Sequence, residues 1–151
     1  MNKFGDCIAS AHAALTAEGD SKVLHVKVCK DMVTNIMRKG HKLPQMQYCP
    51  FRQIATFSEV TQLDVLLDLL KFRETMLFEK LLADTKKQLE AGKSQYQILM
   101  RETSDTMQDL AISFGERNCM EYCIKTLGSM KNAENQKLMT KVFRLYGCEI
   151  L

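Results

Sequence analysis

The chain has 151 residues and a net charge of +3, with 26% charged and 46% hydrophobic residues, values typical of one globular domain or a piece of a larger protein. No uncharged apolar run reaches the roughly 18 to 20 residues that a membrane span needs. No basic stripe with interleaved aromatic residues indicates a nucleic-acid surface, so we expect no membrane span and no nucleic-acid partner.

Six cysteines are scattered along the chain, and no two of them form a C-x-x-C motif. The N-terminus lacks the apolar core of a secretory signal, so we expect reduced, intracellular thiols. Two pairs have a spacing of four residues: His25 with Cys29, and Cys119 with Cys123. A metal site could use this spacing, but a structural zinc site needs four ligands. Packing in the core is therefore the favoured interpretation of both pairs.

The first predicted helix can be capped by Asp20 or Ser21 and ends at Gly40 after a basic last turn. Its apolar positions roughly follow helical spacing: Val23, Val26, Met32, Val33 and Ile36. The following stretch holds both prolines and has no sustained period. Residues 40–60 are therefore predicted to form a linker.

A long second helix is predicted from Thr61, which makes a capping-box-like start with Asp64. The helical pattern breaks at Gly92. Leucines are concentrated on one face of this helix, as expected for a core-facing helix: Leu63, Leu66, Leu67, Leu70, Leu77, Leu81 and Leu82.

Ser94 and Gln97 are predicted to cap a third long helix that runs to residue 127 with Gly115 inside it. Asn132 caps a fourth helix, which reaches the C-terminus. No strand-like alternation extends beyond a few residues. The chain is therefore predicted to be all-α, with antiparallel helices joined by short turns. The ten methionines are interpreted as core filler in preference to a Met-rich groove for partner peptides.

The segment EGDSKVL, residues 18–24, places a glutamate and a glycine at the start of the first predicted helix. Two interpretations of Glu18 are open. A carboxylate near the first turn meets unpaired N–H groups and the positive end of the helix dipole, which stabilises a helix by about 0.3–1 kcal/mol. Alternatively, Glu18 is a catalytic residue.

Together with FGD at residues 4–6 and AALTA at residues 13–17, this segment resembles the acyl-CoA oxidase family of flavoenzymes. Similar members of that family carry an E-G-D/E-N-x-V-L core at the entrance to a helix. The strongest similarity covers about residues 4–36. The remainder resembles the additional helical domain of the oxidases, with FRLYG at residues 143–147 as its clearest trace.

The resemblance implies that Glu18 is the catalytic base, which removes the α-proton of a fatty acyl-CoA while a hydride leaves the β-carbon for FAD. The products would be trans-2-enoyl-CoA and, after oxidation of the flavin by O2, hydrogen peroxide, a step of fatty acid β-oxidation. Gly19 and Asp20 would contact the FAD. The weak acidity of the α-proton requires a base with a raised pKa in a dry site. A peroxisomal location and a homodimeric full-length protein are further implications of the resemblance.

The same resemblance divides the chain into three parts. Residues 1–39 would be the tail of the flavin-binding helical bundle domain, residues 40–60 a linker, and residues 61–151 part of the oxidase C-terminal helical domain. Family members hold much of the flavin with upstream domains, so we expect that this chain alone neither holds FAD well nor turns over. The alternative function is a non-enzymatic all-α interaction module, in which Glu18 is a helix-end acid and Met- and Leu-rich faces meet a partner.

Overall fold

A computed structural model describes residues 21–44 and 57–151. Every regular element in these two ranges is helical, so the predicted all-α class is confirmed. A π-helical turn, Ile98–Glu102, separates the fourth helix from the fifth. The six α-helices in chain order are α1 Ser21–Lys39, α2 Phe57–Val60, α3 Leu63–Glu90, α4 Gln95–Gln97, α5 Ser104–Ser129 and α6 Ala133–Ile150.

None of the described helices combines the length and the apolar character that a bilayer crossing demands. The expectation of no membrane span is therefore confirmed for the part of the chain that the structure covers.

Two glycines end helices where the sequence places them. Gly40 directly follows α1, and Gly92 lies two residues beyond the end of α3. Their φ angles of 69° and 77° fall in the left-handed region, where a residue without Cβ has no steric penalty. Both predicted helix stops are confirmed.

The predicted caps of α4 and α6 are also confirmed. The Gln97 N–H donates to Ser94 Oγ at 3.3 Å, and the Ser94 N–H donates to Gln97 Oε1 at 3.2 Å, which completes a capping box. Asn132 Oδ1 accepts from the N–H groups of Glu134 at 2.9 Å and Asn135 at 3.0 Å. These bonds satisfy N–H groups that a helix start leaves without intrahelical partners.

The start of α3 differs from the predicted capping box at Thr61. The N-cap is Gln62, and its side chain accepts no capping hydrogen bond. The carboxylate of Asp64 instead accepts from the N–H of Val65 at 3.0 Å. The difference arises because the preceding turn carries its own bond, from the Gln62 N–H to the Glu59 C=O at 3.2 Å. That bond moves the start of the long helix one residue along the chain.

The third predicted helix is interrupted at Thr103. The N–H and the hydroxyl of this buried threonine both donate to the Ile98 C=O, each at 2.9 Å. Its φ of −115° and ψ of 6° leave the α-helical region. The two bonds close a wide turn over five residues, typical of a π-bulge. The predicted single helix is therefore wrong at this point, and α5 begins at Ser104.

Helices α3 and α5 form an antiparallel pair. Leu66 near the start of α3 shares a cluster with Met120 of α5, whereas Phe78 farther along α3 shares one with Met107. Residue numbers therefore rise along one helix as they fall along the other, which is the predicted antiparallel arrangement. Residues 91–103, in place of a short turn, join the two helices.

Two hydrophobic clusters lie at the two ends of this pair. Helix α1 covers the first cluster, and α6 covers the second. Helix α1 and the segment 61–151 are therefore in contact through the first cluster. The buried members of the first cluster are Cys29, Met32, Phe78, Leu81, Met107, Leu110 and Ala111, and those of the second are Leu66, Leu70 and Met120.

The methionines divide between core and surface. Met32, Met107 and Met120 are buried, which confirms core filling for these residues. The prediction is wrong for three others, whose side chains are exposed: Met37, Met76 and Met100.

Gly147, the last residue of the FRLYG segment, is a close-contact position in the second cluster. A Cβ added there would lie 2.9 Å from Leu66 Cδ1 and 3.0 Å from Met120 Cε. The two atoms are the ends of fully buried side chains, which must shift within a close-packed cluster to admit the methyl group.

Gly147→Ala is therefore expected to lower the free energy of unfolding by about 1 kcal/mol, because overpacking outweighs the gain in helix propensity. Gly115 is the matched control, since a Cβ there meets nothing within 4 Å. Gly115→Ala is expected to raise the free energy by about 1 kcal/mol. Denaturant unfolding of both variants measures the difference, and equal effects would contradict this packing.

Candidate functional site

The three predicted site residues, Glu18, Gly19 and Asp20, lie outside the described residues. The next part of the chain is described: helix α1 begins at Ser21, three residues after Glu18. Its first turn contains no acidic residue. The motif therefore leads directly into a helix, as its pattern predicts.

A groove of about 390 Å³ opens between the C-terminal half of α1 and the α3–α5 pair. The buried charges of Glu74 and Arg117 line it together with apolar side chains. His41 and Lys42, which come directly after α1, also border the groove. Its apolar walls include Val28, Met32, Ile36, Leu43 and Phe114.

Glu74 and Arg117 form a bidentate ion pair across α3 and α5. Arg117 Nε donates to Glu74 Oε2 at 2.7 Å, and Nη2 donates to Oε1 at 3.4 Å. The side chains are only 2% and 9% exposed, respectively. Arg117 Nη1 also donates to Asn118 Oδ1 and Glu121 Oε2, each at 3.1 Å, and its Cζ lies 5.1 Å from the ring centre of Phe114.

This network fixes the charge of Arg117. Burial lowers the pKa of the guanidinium, but the hydrogen bond and charge of Glu74, with a contribution from Glu121, outweigh burial and raise that pKa. Both carboxylate oxygens of Glu74 accept hydrogen bonds from the same guanidinium. The pair therefore suits the positioning of two helices and a fixed charge better than proton transfer.

The sequence pattern indicates that Glu74 is buried, but the sequence analysis did not identify Glu74 as a candidate site residue. Glu74 lies four residues after Leu70 and four before Phe78, on the buried stripe of α3. A charged residue on an apolar helix face indicates a buried partner. The sequence pattern does not identify that partner, because Arg117 is 43 residues away.

Cys29 packs in the core, as predicted for the His25–Cys29 pair. Its thiol is fully buried and donates to the Met107 C=O at 2.8 Å. Burial raises the pKa of this thiol to about 11, against a smaller lowering by a backbone hydrogen bond from Ala111. His25 is half-buried, and its Nδ1 makes no hydrogen bond within the described residues.

The raised pKa of Cys29 predicts a loss of stability at alkaline pH. The folded state retains the thiol proton between pH 9.0 and about 11, while the unfolded state loses it. The stabilisation is complete below pH 9.0 and declines as pH rises to about 11. Relative to Cys29→Ala, the wild type is expected to lose about 2–3 kcal/mol across this window. Denaturant unfolding at each pH measures the difference, and parallel pH profiles would contradict it.

Core packing is the wrong prediction for Cys119. The side chain of Cys119 is exposed and that of Cys123 is half-buried. The Cys123 thiol and the Tyr146 hydroxyl of α6 both lie close enough to Cys119 to interact with it electrostatically. Burial, followed by the interactions with Cys119, raises the pKa of both Cys123 and Tyr146. The two thiols and the phenol therefore form a surface cluster where α5 meets α6.

Helix α6 also carries an exposed aliphatic stripe. Leu138, Val142 and Leu145 follow helical spacing and are 60%, 45% and 71% exposed. Three basic side chains are exposed on an adjacent side of the same helix: Lys137, Lys141 and Arg144. An apolar stripe beside a basic face is typical of a helix that contacts a partner.

Comparison with models of protein families gives no match, and neither the curated proteins nor the solved structures yield a significant match to this chain. The resemblance to acyl-CoA oxidases therefore rests on the motif residues themselves.

Proposed function

We propose that this chain is part of a flavin-dependent acyl-CoA oxidase in which Glu18 is the catalytic base. The observation that carries the proposal is the EGDSKVL segment, which leads directly into helix α1 at Ser21. In this function the Glu18 carboxylate takes the α-proton of a fatty acyl-CoA. The backbone N–H of Glu18 donates a hydrogen bond to the thioester oxygen as enolate charge develops there.

The start of α1 fits an anionic cofactor. No acid occupies its first turn, and the dipole of a helix N-terminus favours negative charge. Gly19 and Asp20, directly before this turn, would contact the FAD, with Gly19 leaving space for close approach. When bound, FAD would accept the hydride of the β-carbon and pass the electrons to O2, which yields trans-2-enoyl-CoA and hydrogen peroxide.

The proposal includes the wider assignments implied by the resemblance. Residues 1–39 would end the flavin-binding bundle, and residues 61–151 would belong to the oxidase C-terminal domain. The full-length enzyme would be a peroxisomal homodimer that acts in fatty acid β-oxidation.

The test is acyl-CoA-dependent peroxide release by the longest reading frame that contains these 151 residues, purified with added FAD. A panel of acyl-CoA chain lengths serves as substrate. Bound flavin and peroxide that require acyl-CoA are the expected results. A well-folded protein that neither retains flavin nor releases peroxide would contradict the proposal.

The second candidate function is a non-enzymatic helical interaction module. The exposed stripe of Leu138, Val142 and Leu145 favours it, because exposed aliphatic side chains at helical spacing can dock an amphipathic partner helix. A folded protein without flavin would favour this function over the oxidase.

A further inference from the structure

The outer face of α6 carries a short heptad pattern. Leu138, Val142 and Leu145 are separated by four and then three residues, and Asn135 lies three residues before Leu138. All four side chains are exposed. In coiled-coil notation Asn135 and Val142 occupy a positions, and Leu138 and Leu145 occupy d positions. A β-branched residue at a with leucine at d favours the packing of two helices, so this face suits one further helix.

The opposite face of α6 holds the helix in place. Tyr146 and Ile150 pack against the second hydrophobic cluster, and Gly147 is buried. Near the start of the helix, Gln136 Nε2 donates to the Leu127 C=O at 2.9 Å. The outer face is therefore presented by a helix that is already formed, which lowers the entropic cost of binding.

The exposed flank of this face is basic. Lys137, Lys141 and Arg144 are exposed, and none of them forms an ion pair within the described residues. Lys141 occupies the g position beside the stripe. The e positions on the other flank, Met139 and Tyr146, are half-buried. A helix that packs on the stripe therefore meets positive charge along the flank that is open to solvent.

We propose that this face of α6 binds an amphipathic helix of a partner protein, whose apolar stripe is flanked by acidic side chains. Charges at positions e and g determine partner choice between packed helices. A second copy of the chain fits poorly. Antiparallel pairing of two α6 helices would bring the Lys141 side chains of both copies together, and like charges repel. Parallel pairing would direct Lys141 at the half-buried e positions.

A membrane surface also fits this face less well than a protein helix. Helices that lie on a membrane commonly insert Trp or Phe side chains, but the two aromatic residues of α6, Phe143 and Tyr146, are half-buried. Two exposed acids, Glu134 and Glu149, lie near the two ends of the same helix, where they would face anionic lipid. The observed charges and side chains therefore favour an acidic helix.

The test measures binding of the 151-residue chain to two dye-labelled synthetic helical peptides by fluorescence anisotropy. Each peptide has about three heptads with Val at a and Leu at d; one carries Glu at e and g, and the other carries Lys. The Glu peptide is expected to bind at least about 10-fold more tightly than the Lys peptide, with a preference that declines as ionic strength rises.

The stripe is tested with Leu145→Glu, which is expected to weaken binding of the Glu peptide by at least about 10-fold. Leu89→Glu is the matched control, because Leu89 is a 48% exposed leucine on α3; it is expected to bind as the wild type does. Circular dichroism melting checks that both variants are folded. Equal binding by Leu145→Glu and Leu89→Glu would overturn the proposal.

The basic flank is tested by changing its three residues together to Glu. This variant is expected to prefer the Lys peptide. The matched control changes three exposed lysines of α3 to Glu and is expected to keep the preference of the wild type: Lys80, Lys86 and Lys87.

Three further outcomes would overturn the proposal. They are the failure of the Glu peptide to bind, tighter binding to phosphatidylserine vesicles than to the Glu peptide, and a homodimer that Leu145→Glu dissociates. The proposal rests on the second candidate function, which flavin content of the longest reading frame tests separately. Peptide binding is measured without FAD, so a failure here is distinguishable from a failure of the oxidase proposal.

Discussion

Glu18→Gln is expected to lower acyl-CoA-dependent peroxide formation by about 10²–10⁴-fold while flavin stays bound. Glutamine keeps the size and hydrogen-bonding capacity of the side chain but cannot accept the α-proton of the thioester. The measurement is initial peroxide release per bound flavin, in the longest reading frame that contains the chain. The loss should appear in kcat, because proton removal belongs to the chemical step.

Glu90→Gln provides the matched control, because Glu90 is an exposed glutamate at the end of α3. It is expected to retain wild-type turnover and flavin content. Glu18 would be a helix-end acid, and not the base, if Glu18→Gln turned over as fast as Glu90→Gln. Loss of flavin together with activity in Glu18→Gln would likewise contradict a role confined to proton removal.

Breaking the buried pair of Glu74 and Arg117 is expected to give the largest loss of stability among single substitutions in the described core. Glu74→Leu and Arg117→Met are each expected to lower the free energy of unfolding by about 3–5 kcal/mol. Arg117→Met leaves the Glu74 carboxylate without its partner in a site that is almost closed to water. Glu74→Leu leaves the buried Arg117 guanidinium with the partly exposed Glu121 as its remaining ionic partner. The double variant removes both charges, so its loss should be much smaller than the sum of the single losses.

The exposed ion pair of Lys27 and Asp31 is the control for this comparison of single and double variants. Its side chains are 70% and 62% exposed, and the ion pair measures 3.1 Å. Lys27→Met is expected to change the free energy of unfolding by only about 0–1 kcal/mol. Denaturant unfolding provides all of these values. Additive losses for Glu74→Leu and Arg117→Met would contradict the direct coupling of the two side chains.

Local chemistry makes several helix ends predictable from the sequence. The capping box of Ser94 with Gln97, the Asn132 cap and the stop at Gly40 each depend on residues within one turn. The start of α3 is not predictable in the same way, because the preceding turn uses the Gln62 N–H. The break at Thr103 also escapes prediction, since threonine is compatible with a helix until its hydroxyl and N–H bond the same carbonyl.

The candidate sites are less predictable because they combine residues from different helices. The position of Glu74 on an apolar stripe signals burial, but its pairing with Arg117 depends on the register between α3 and α5. Core packing is the wrong prediction for Cys119 because a spacing of four residues does not state which side of a helix faces solvent. The exposure of Cys119 depends on the position of α6.

The most direct test of Glu18 as the catalytic base is the absorbance of bound, oxidised flavin after anaerobic mixing with acyl-CoA. Without O2, electrons taken from the substrate remain on the flavin. The loss of flavin absorbance therefore reports proton removal by Glu18 in a single turnover. Rapid bleaching is expected in the wild type and in Glu90→Gln, and persistent absorbance is expected in Glu18→Gln. Rapid bleaching in Glu18→Gln would contradict the assignment of Glu18 as the base, and a folded wild type without bound flavin would contradict the oxidase itself.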